Sequence, residues 1–402
     1  NMGQNNHSYN NKSKHFINHY DVIKHSDQGN ALAVKGGRSL LSLTNSILNS
    51  AISGRQSRQL AFENSWIERI WAWADDFKIS ECTIPRNREE LLAMTELFMD
   101  TRYRDHHLTD MNYLPDELTY LTNIIEISLV GVGFDHLPEN IGRLSKLTKL
   151  TVTFSKIRTL PDSIGELKSL SWIFLHRNEL IVLPDTIGKL TNLLTLDITG
   201  NGVKILPNSI GELSNLCGLM VCYNCLKDLP STIGNLSSLA WLDISGNNFK
   251  HLPTNIEKLS KLNMLDASSN SLSILPESIR QLTNLDTLKI RENNLSVLTE
   301  SIGKLTNLEN LDISENEISI LPESLCELNK LSYLNVRYNR LSALPENIGK
   351  LTKLKKLSVN KNKLSSLPES FRQLINLSYL DIENNSFKAL PDNLDRTKYL
   401  WK

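Results

Sequence analysis

Cys217, Cys222 and Cys225 are the residues whose spacing most invites chemistry, because Cys222 and Cys225 stand at the CxxC interval of zinc and thiol–disulfide sites. A zinc site needs four ligands within tetrahedral reach, and this stretch offers three cysteines. His176 lies two turns of a repeat away, roughly 10 Å or more at the spacing of neighbouring strands. The residues therefore predict no metal site. Aspartate and glutamate are abundant, but the sequence marks no pair as sharing a desolvated pocket, and neither a Gly-rich phosphate loop nor a GxSxG elbow occurs. His176 beside Arg177 reads as a contact pair rather than as a general base. No catalytic residue, cofactor or small-molecule substrate is expected.

Composition narrows the partner class. Lysine plus arginine and aspartate plus glutamate number 44 each in 402 residues, so no global field draws the chain to nucleic acid or to an anionic membrane. The sequence has no transmembrane segment of 18 or more apolar residues, and its first 30 residues lack the pattern of a secretory signal peptide. Five cysteines in no paired framework fit reduced thiols. The chain reads as soluble and made in a cytoplasm.

The elements that must position any site follow from a period of 23 residues. Asn178, Asn201, Asn224, Asn247, Asn270, Asn293, Asn316, Asn339, Asn362 and Asn385 recur at that interval, each closing an LxxLxLxxN motif. Two earlier units carry Val132 and Ser155 in place of the asparagine, which makes twelve repeats from Ile124 onward. Twelve of the thirteen prolines form a second register from Pro115, broken by Thr299. Alternation around LxL predicts a short strand with leucine and isoleucine inward. One such coil cannot bury its own inward face, so the coils must stack into a parallel sheet over a continuous core. The asparagine amides are expected to satisfy backbone groups where the chain leaves each strand. The other half of each unit, such as LPDTIGKLTNL at 183–193, predicts a short helical turn on the convex side. Twelve strands about 4.8 Å apart make a concave face on the order of 55 Å long. A face of that length suits a protein partner.

This pattern resembles the leucine-rich-repeat superfamily in its 23-residue LPxxIGxLxxLxxLxLxxN class, over residues 114–400. The resemblance implies an α/β repeat fold, a leucine-rich-repeat solenoid with strands on the concave side and short helices on the convex side. It also implies protein binding, since similar arrays occur in bacterial effectors delivered into host cells and in eukaryotic Ras-pathway scaffolds. The motif specifies fold far better than function.

Residues 1–38, rich in Asn, Ser, His and Lys, read as a disordered leader and a candidate secretion signal. Leaders of this composition resemble the N-termini of bacterial type III effectors. Residues 39–110 are expected to form a helical N-terminal cap, with one helix over Ser39–Ser53, a second through Trp66, Ile70, Trp73 and Phe77, and a third from Asn87 with Glu90 in a capping box. The stretch Trp66–Met99 resembles the segment that precedes the repeats in many bacterial leucine-rich-repeat proteins. Residues 111–402 form the solenoid of twelve to thirteen units, the last starting at Leu400 beside Tyr399 and Trp401.

The repeats serve as their own reference for the concave face. Asp197, Asp243, Asp266, Asp312 and Asp381 recur and read as filler, whereas departures mark contacts. Trp172, Phe174, His176 and Arg177, then Met220, Tyr223, Trp241 and Met264, predict an aromatic and thioether patch across neighbouring strands. Tyr333, Arg337, Tyr338 and Lys356 mark a basic, tyrosine-bearing end suited to an acidic protein segment; the acidic coils beside it would repel nucleic acid. The expected function is capture of a protein partner on the concave face, as a bacterial effector acting on a host protein. The alternatives are the substrate-recognition part of a larger enzyme such as a ubiquitin ligase, or a cytoplasmic signalling scaffold.

Overall fold

The computed structural model describes residues 37–102 and 106–387, which fall into two units dividing at Phe62 and Glu63. Residues 1–36 of the expected leader lie outside the described residues, as do Tyr399, Leu400 and Trp401. The first unit is described from Gly37, where helix α1 (Gly37–Asp76) begins. The two helices expected over 39–53 and 66–77 are this one helix. The residues between them, RQSRQLAFE at 55–63, hold no proline and favour helix, so nothing interrupts it.

In the second unit, the end of α1 buries Trp66, Ile67, Ile70, Trp73 and Ala74, which recur at helical spacing on one face. The Trp73 indole donates to the Tyr113 carbonyl at 3.2 Å, and the Trp66 ring centroid lies 5.3 Å from that of Tyr120. Helix α2 (Arg88–Leu92) starts at Asn87, whose side chain accepts from the Glu89 and Glu90 N–H groups. The region before residue 110 is not helical throughout. Strand β1 (Glu96–Asp100) opens the sheet, with Leu97 and Met99 buried and Phe98 on the opposite face. Five residues of alternation are too few to separate from a helical turn by pattern, and pairing with the next strand decides the matter.

Thirteen strands form one sheet in sequential order, every neighbouring pair parallel. After β1 come β2 (Glu126–Val130), β3 (Lys149–Thr153), β4 (Trp172–Phe174), β5 (Thr195–Asp197), β6 (Gly218–Met220) and β7 (Trp241–Asp243). They are followed by β8 (Met264–Asp266), β9 (Thr287–Lys289), β10 (Asn310–Asp312), β11 (Tyr333–Asn335), β12 (Lys356–Ser358) and β13 (Tyr379–Asp381). From β2 onward the register equals the repeat, so each residue pairs with its own counterpart in the next coil. The inward leucines, isoleucines and valines join the end of α1 in one continuous core.

Two polar ladders tie the coils together. In the expected one, each column asparagine bridges its own coil and the one before it. Asn270 Nδ2 donates to the carbonyls of Ile244, Ala267 and Ser268 at 3.0, 3.2 and 3.0 Å, while its Oδ1 accepts from Phe249 N–H at 3.0 Å. The second ladder was not foreseen. Asn192, Asn215, Asn284, Asn307 and Asn376, at the end of the convex turns, each donate to a carbonyl of the preceding coil at 2.7–2.8 Å.

The convex turns are 3-10 helices such as Asp185–Lys189, entered from Pro184 at φ −69°, the value that the proline ring imposes. Glycine follows the buried isoleucine in most of them because the next coil passes close by: a Cβ on Gly188 would lie 2.4 Å from the Ser209 carbonyl oxygen. Thr299 keeps the proline geometry at φ −63°, accepts the Ser301 N–H, and its hydroxyl donates to Glu277 at 2.5 Å. Together with the Ser301 hydroxyl it holds the Glu277 carboxyl below the usual range.

Candidate protein-binding face

Strand alternation turns the odd side chains of each coil away from the core, and the exposures follow. Trp172 and Trp241 sit at the same strand position with 40% and 61% of their surface exposed, while Ile173 and Leu242 beside them are fully buried. Phe174, Met220, Met264 and Tyr333 are partly buried on the same face, and Lys356 is exposed. His176 and Arg337 lie just past the strands and are partly buried, followed by the exposed Arg177, Tyr223 and Tyr338.

The expected aromatic patch is divided. Phe174 on β4 registers with Asp197 on β5, and Asp197 with Met220 on β6, so Thr195 and Asp197 separate the β4 cluster from the one over β6 to β8. The β4 cluster extends backward instead, through a residue the sequence reading passed over. Phe154 packs edge-on against His176 with ring centroids 5.7 Å apart, and the Arg177 guanidinium lies 5.3 Å above the Phe154 ring. Phe98 and Tyr379 are also exposed on this face, Tyr379 registering with Lys356. The 23-residue spacing from Tyr333 contained the signal for Tyr379.

Phe154, Arg177, Tyr223 and Tyr338 share a backbone cause. Each precedes the asparagine column, or Ser155 in its place, and lies in the left-handed region with φ of 51–56°, as do Ser269, Glu292, Glu315, Lys361 and Asn384. Gly131, Gly200 and Gly246 hold the same position in other coils. Non-glycine residues adopt this conformation uncommonly, and bulky ones at a cost. The array thus carries large side chains where glycine fits the backbone more easily. The Tyr223 ring lies over Gly246, where a Cβ would come within 2.6 Å of it.

The recurrent aspartates are not mere filler. Asp197, Asp243, Asp266 and Asp312 each accept the N–H of the residue two further on at 2.9–3.0 Å, which steers the chain out of the strand. Charges pair along the face as well: Asp266 faces Lys289 at 3.4 Å, and Glu315 bridges Arg291 and Arg337 at 3.0 and 3.3 Å, while the His176 ring lies 3.5 Å from the Asp197 carboxylate. The basic end is therefore less bare than its sequence suggests, since Arg337 is partly neutralised. Lys361 lies 4.4 Å above the Tyr338 ring.

Cys222 is buried against the Thr199 hydroxyl at 3.0 Å, and burial pushes its thiol up to about 12. Cys217 and Cys225 are exposed. Among the described residues no three His, Cys, Asp or Glu side chains are grouped to hold a metal ion, and no helix is long and apolar enough to cross a membrane. A groove of about 810 Å³ lies off the strand face, on the flank lined by Lys204, Ile205, Cys225 and Lys227.

The family profile described as "Leucine-rich repeat region" matches residues 172–244, 218–314 and 321–401, more than half of the chain. The chain belongs to the leucine-rich-repeat family. Its fold is shared with a leucine-rich-repeat protein of Leptospira interrogans, 28% identical over 80% of this chain and 92% of that one, with a TM-score of 0.64. YopM from Yersinia enterocolitica is 25% identical over 84% of this chain and 72% of its own, with a TM-score of 0.63. The plant peptide hormone receptor RGFR1, solved in complex with RGF2, is 26% identical over 70% of this chain, with a TM-score of 0.54; this leucine-rich-repeat chain spans 55% of it. The comparison with curated proteins finds no match.

Proposed function

We propose that this leucine-rich-repeat protein captures a protein partner on its strand face, through the aromatic and thioether residues of β4 and of β6 to β8. One observation carries the reading: Trp172, Tyr223 and Trp241 are exposed on a face whose inward residues already complete the core. Aromatic side chains of this kind dominate binding energies when a partner desolvates them. The complex of RGFR1 with RGF2 supports the use of such an array for a polypeptide ligand.

The finer reading is a bacterial effector acting on a host protein. It is supported by the Asn- and Ser-rich leader and by the fold shared with the Leptospira and Yersinia proteins over most of the chain. Affinity capture from host-cell lysate tests both levels, with the Trp172→Ala/Trp241→Ala double variant as control. A partner held by the parent is expected to be lost from the double variant, with affinity reduced by about 2 kcal/mol or more. Undiminished capture by the double variant would move the site to the basic end around Arg337 and Lys356.

A further inference from the structure

Cations on and beside the strand face find their partners in the neighbouring coil, and one coil departs from this. Lys149 meets Glu126 at 2.6 Å, Lys289 meets Asp266 at 3.4 Å and Arg340 meets Glu317 at 3.2 Å, each with the carboxylate at its own register one coil earlier. The coil of β12 carries Lys355, Lys356, Lys361 and Lys363, all exposed. No carboxylate stands at their registers. Lys356 lies between Tyr333 and Tyr379, and the residues one coil to either side of the other three are serine, tyrosine, asparagine or arginine. Asp381 and Glu383 on the next coil form no ion pair with these lysines among the described residues, and the Asp381 carboxylate accepts the Glu383 N–H instead. Lys361 rests over the Tyr338 ring, which leaves its charge without a counter-ion.

The layout of the four lysines selects what fits them. Lys355 and Lys356 stand where the chain enters β12 and Lys361 and Lys363 where it has left, while β11 and β13 contain no lysine. The positive stripe therefore runs along one strand rather than across several. From Lys356 to Lys361 is at most about 17 Å at the rise of a strand, which an extended polypeptide covers in as many residues. An acidic segment laid along β12 can thus bring carboxylates to both ends. Like charges in one coil repel one another, and an anionic segment relieves that repulsion. Tyr333 and Tyr379 flank Lys356 with ring surface and hydroxyls that suit a polypeptide. The field turns negative two strands away, at Glu309 and Asp312, so a long polyanion crossing the coils would be repelled there.

We infer that the coil of β12 is a second contact on the strand face, taking an extended acidic segment of a protein partner along the strand, with carboxylates on Lys355 and Lys356 at one end and on Lys361 and Lys363 at the other. The inference goes beyond the aromatic contact proposed above and stands or falls without it. An exposed lysine gains little from a single pairing, so affinity comes from several charges engaged together and falls with salt. Such a contact steers a partner to the face and fixes its direction there.

The test uses the full chain and a short dye-labelled, acetylated peptide in which glutamate alternates with serine, alongside the same peptide carrying lysine instead. Binding is read by fluorescence anisotropy at low and physiological ionic strength. The glutamate peptide is expected to bind, more weakly at the higher salt, and the lysine peptide to fail. Lys355→Glu/Lys356→Glu should weaken the glutamate peptide about tenfold or more at an unchanged melting temperature, since both side chains are exposed. Lys361→Gln/Lys363→Gln, at the other end of the stripe, should weaken it as well and carries the test if the first variant were unstable. Lys204→Glu/Lys227→Glu changes the net charge as much as the first variant, but on the flank, and should leave binding within about twofold of the parent. Absence of glutamate-peptide binding, an equal loss in the flank variant, or tighter binding of a short oligothymidylate would each overturn the inference. Loss of the peptide by the Trp172→Ala/Trp241→Ala variant would overturn it too, by moving the contact to the aromatic patch. Peptide binding that persists while capture by the tryptophans fails, or the reverse, separates this inference from the proposed function.

Discussion

Trp172 lies between two instructions that its sequence neighbourhood does not resolve. Its size suits a core, while its place one residue before Ile173 in a period-two strand turns it outward. Pairing with Lys149 and Thr195 and an exposure of 40% settle the outward register. Trp172 keeps part of its ring against neighbouring strands without entering the core, so Trp172→Ala is expected to cost about 1 kcal/mol of folding stability. Ile173→Ala, one residue along and fully buried, should cost about 2–5 kcal/mol. Thermal melts of the two variants check the register directly: a loss at Trp172 as large as that at Ile173 would mean that this coil is turned over. The same reasoning explains why Cys222 has no part in chemistry here, since its neutral thiol is packed against Thr199 while Cys217 and Cys225 lie apart and exposed.

At the scale of the element, each coil is a strand and a 3-10 turn too short to stand alone, and ten column asparagines each tie their unit to the one before it. Asn270 shows how: its amide serves carbonyls of two successive coils while its oxygen receives the N–H of Phe249. Replacement by alanine would leave those inner backbone groups without partners in a place that water reaches poorly. Asn270→Ala is expected to cost about 1–3 kcal/mol, read from the urea denaturation midpoint. Equal midpoints would show that the ladder is ornamental. The convex asparagines form a comparable ladder that sequence reasoning missed, although Asn192, Asn215, Asn284 and Asn307 stand in register. Their signal was readable as TNL or SNL, but an exposed polar residue in a turn looks like ordinary surface until its carbonyl acceptor is seen.

At the scale of the molecule, a parallel stack has two open ends, and each end exposes backbone groups and apolar side chains unless something covers it. Residues 39–110 are proposed as the cover at the N-terminal end. Within the second unit, the buried face of α1 from Trp66 to Ala74 and strand β1 lie in the core continuous with the first coils. Removal of the chain through Met99 is therefore expected to bare β2 and to drive association, measured by light scattering during size-exclusion chromatography. A truncated protein that stayed monomeric with the parent's melting temperature would remove the cap from the account.

What the sequence determined by itself was everything repeated: the 23-residue period, the inward apolar skeleton, the asparagine column and the outward phase of the strand residues. Repetition makes each coil a witness for the others, so a single register assigns hundreds of side chains. What lay outside the repeat, or between coils, needed the tertiary structure. Strand β1 departs from the 23-residue offset and declares itself only by pairing with β2. The left-handed column that lifts Phe154, Arg177, Tyr223 and Tyr338 to the edge of the face is a backbone state, set where the chain turns out of each strand, and in the sequence only the glycines at 131, 200 and 246 hint at it. The ion pairs along the face, Asp266 with Lys289 and Glu315 with Arg291 and Arg337, arise from residues on different coils. Their spacing along the chain is fixed by the repeat, but which charges meet is decided by side-chain reach across neighbouring strands.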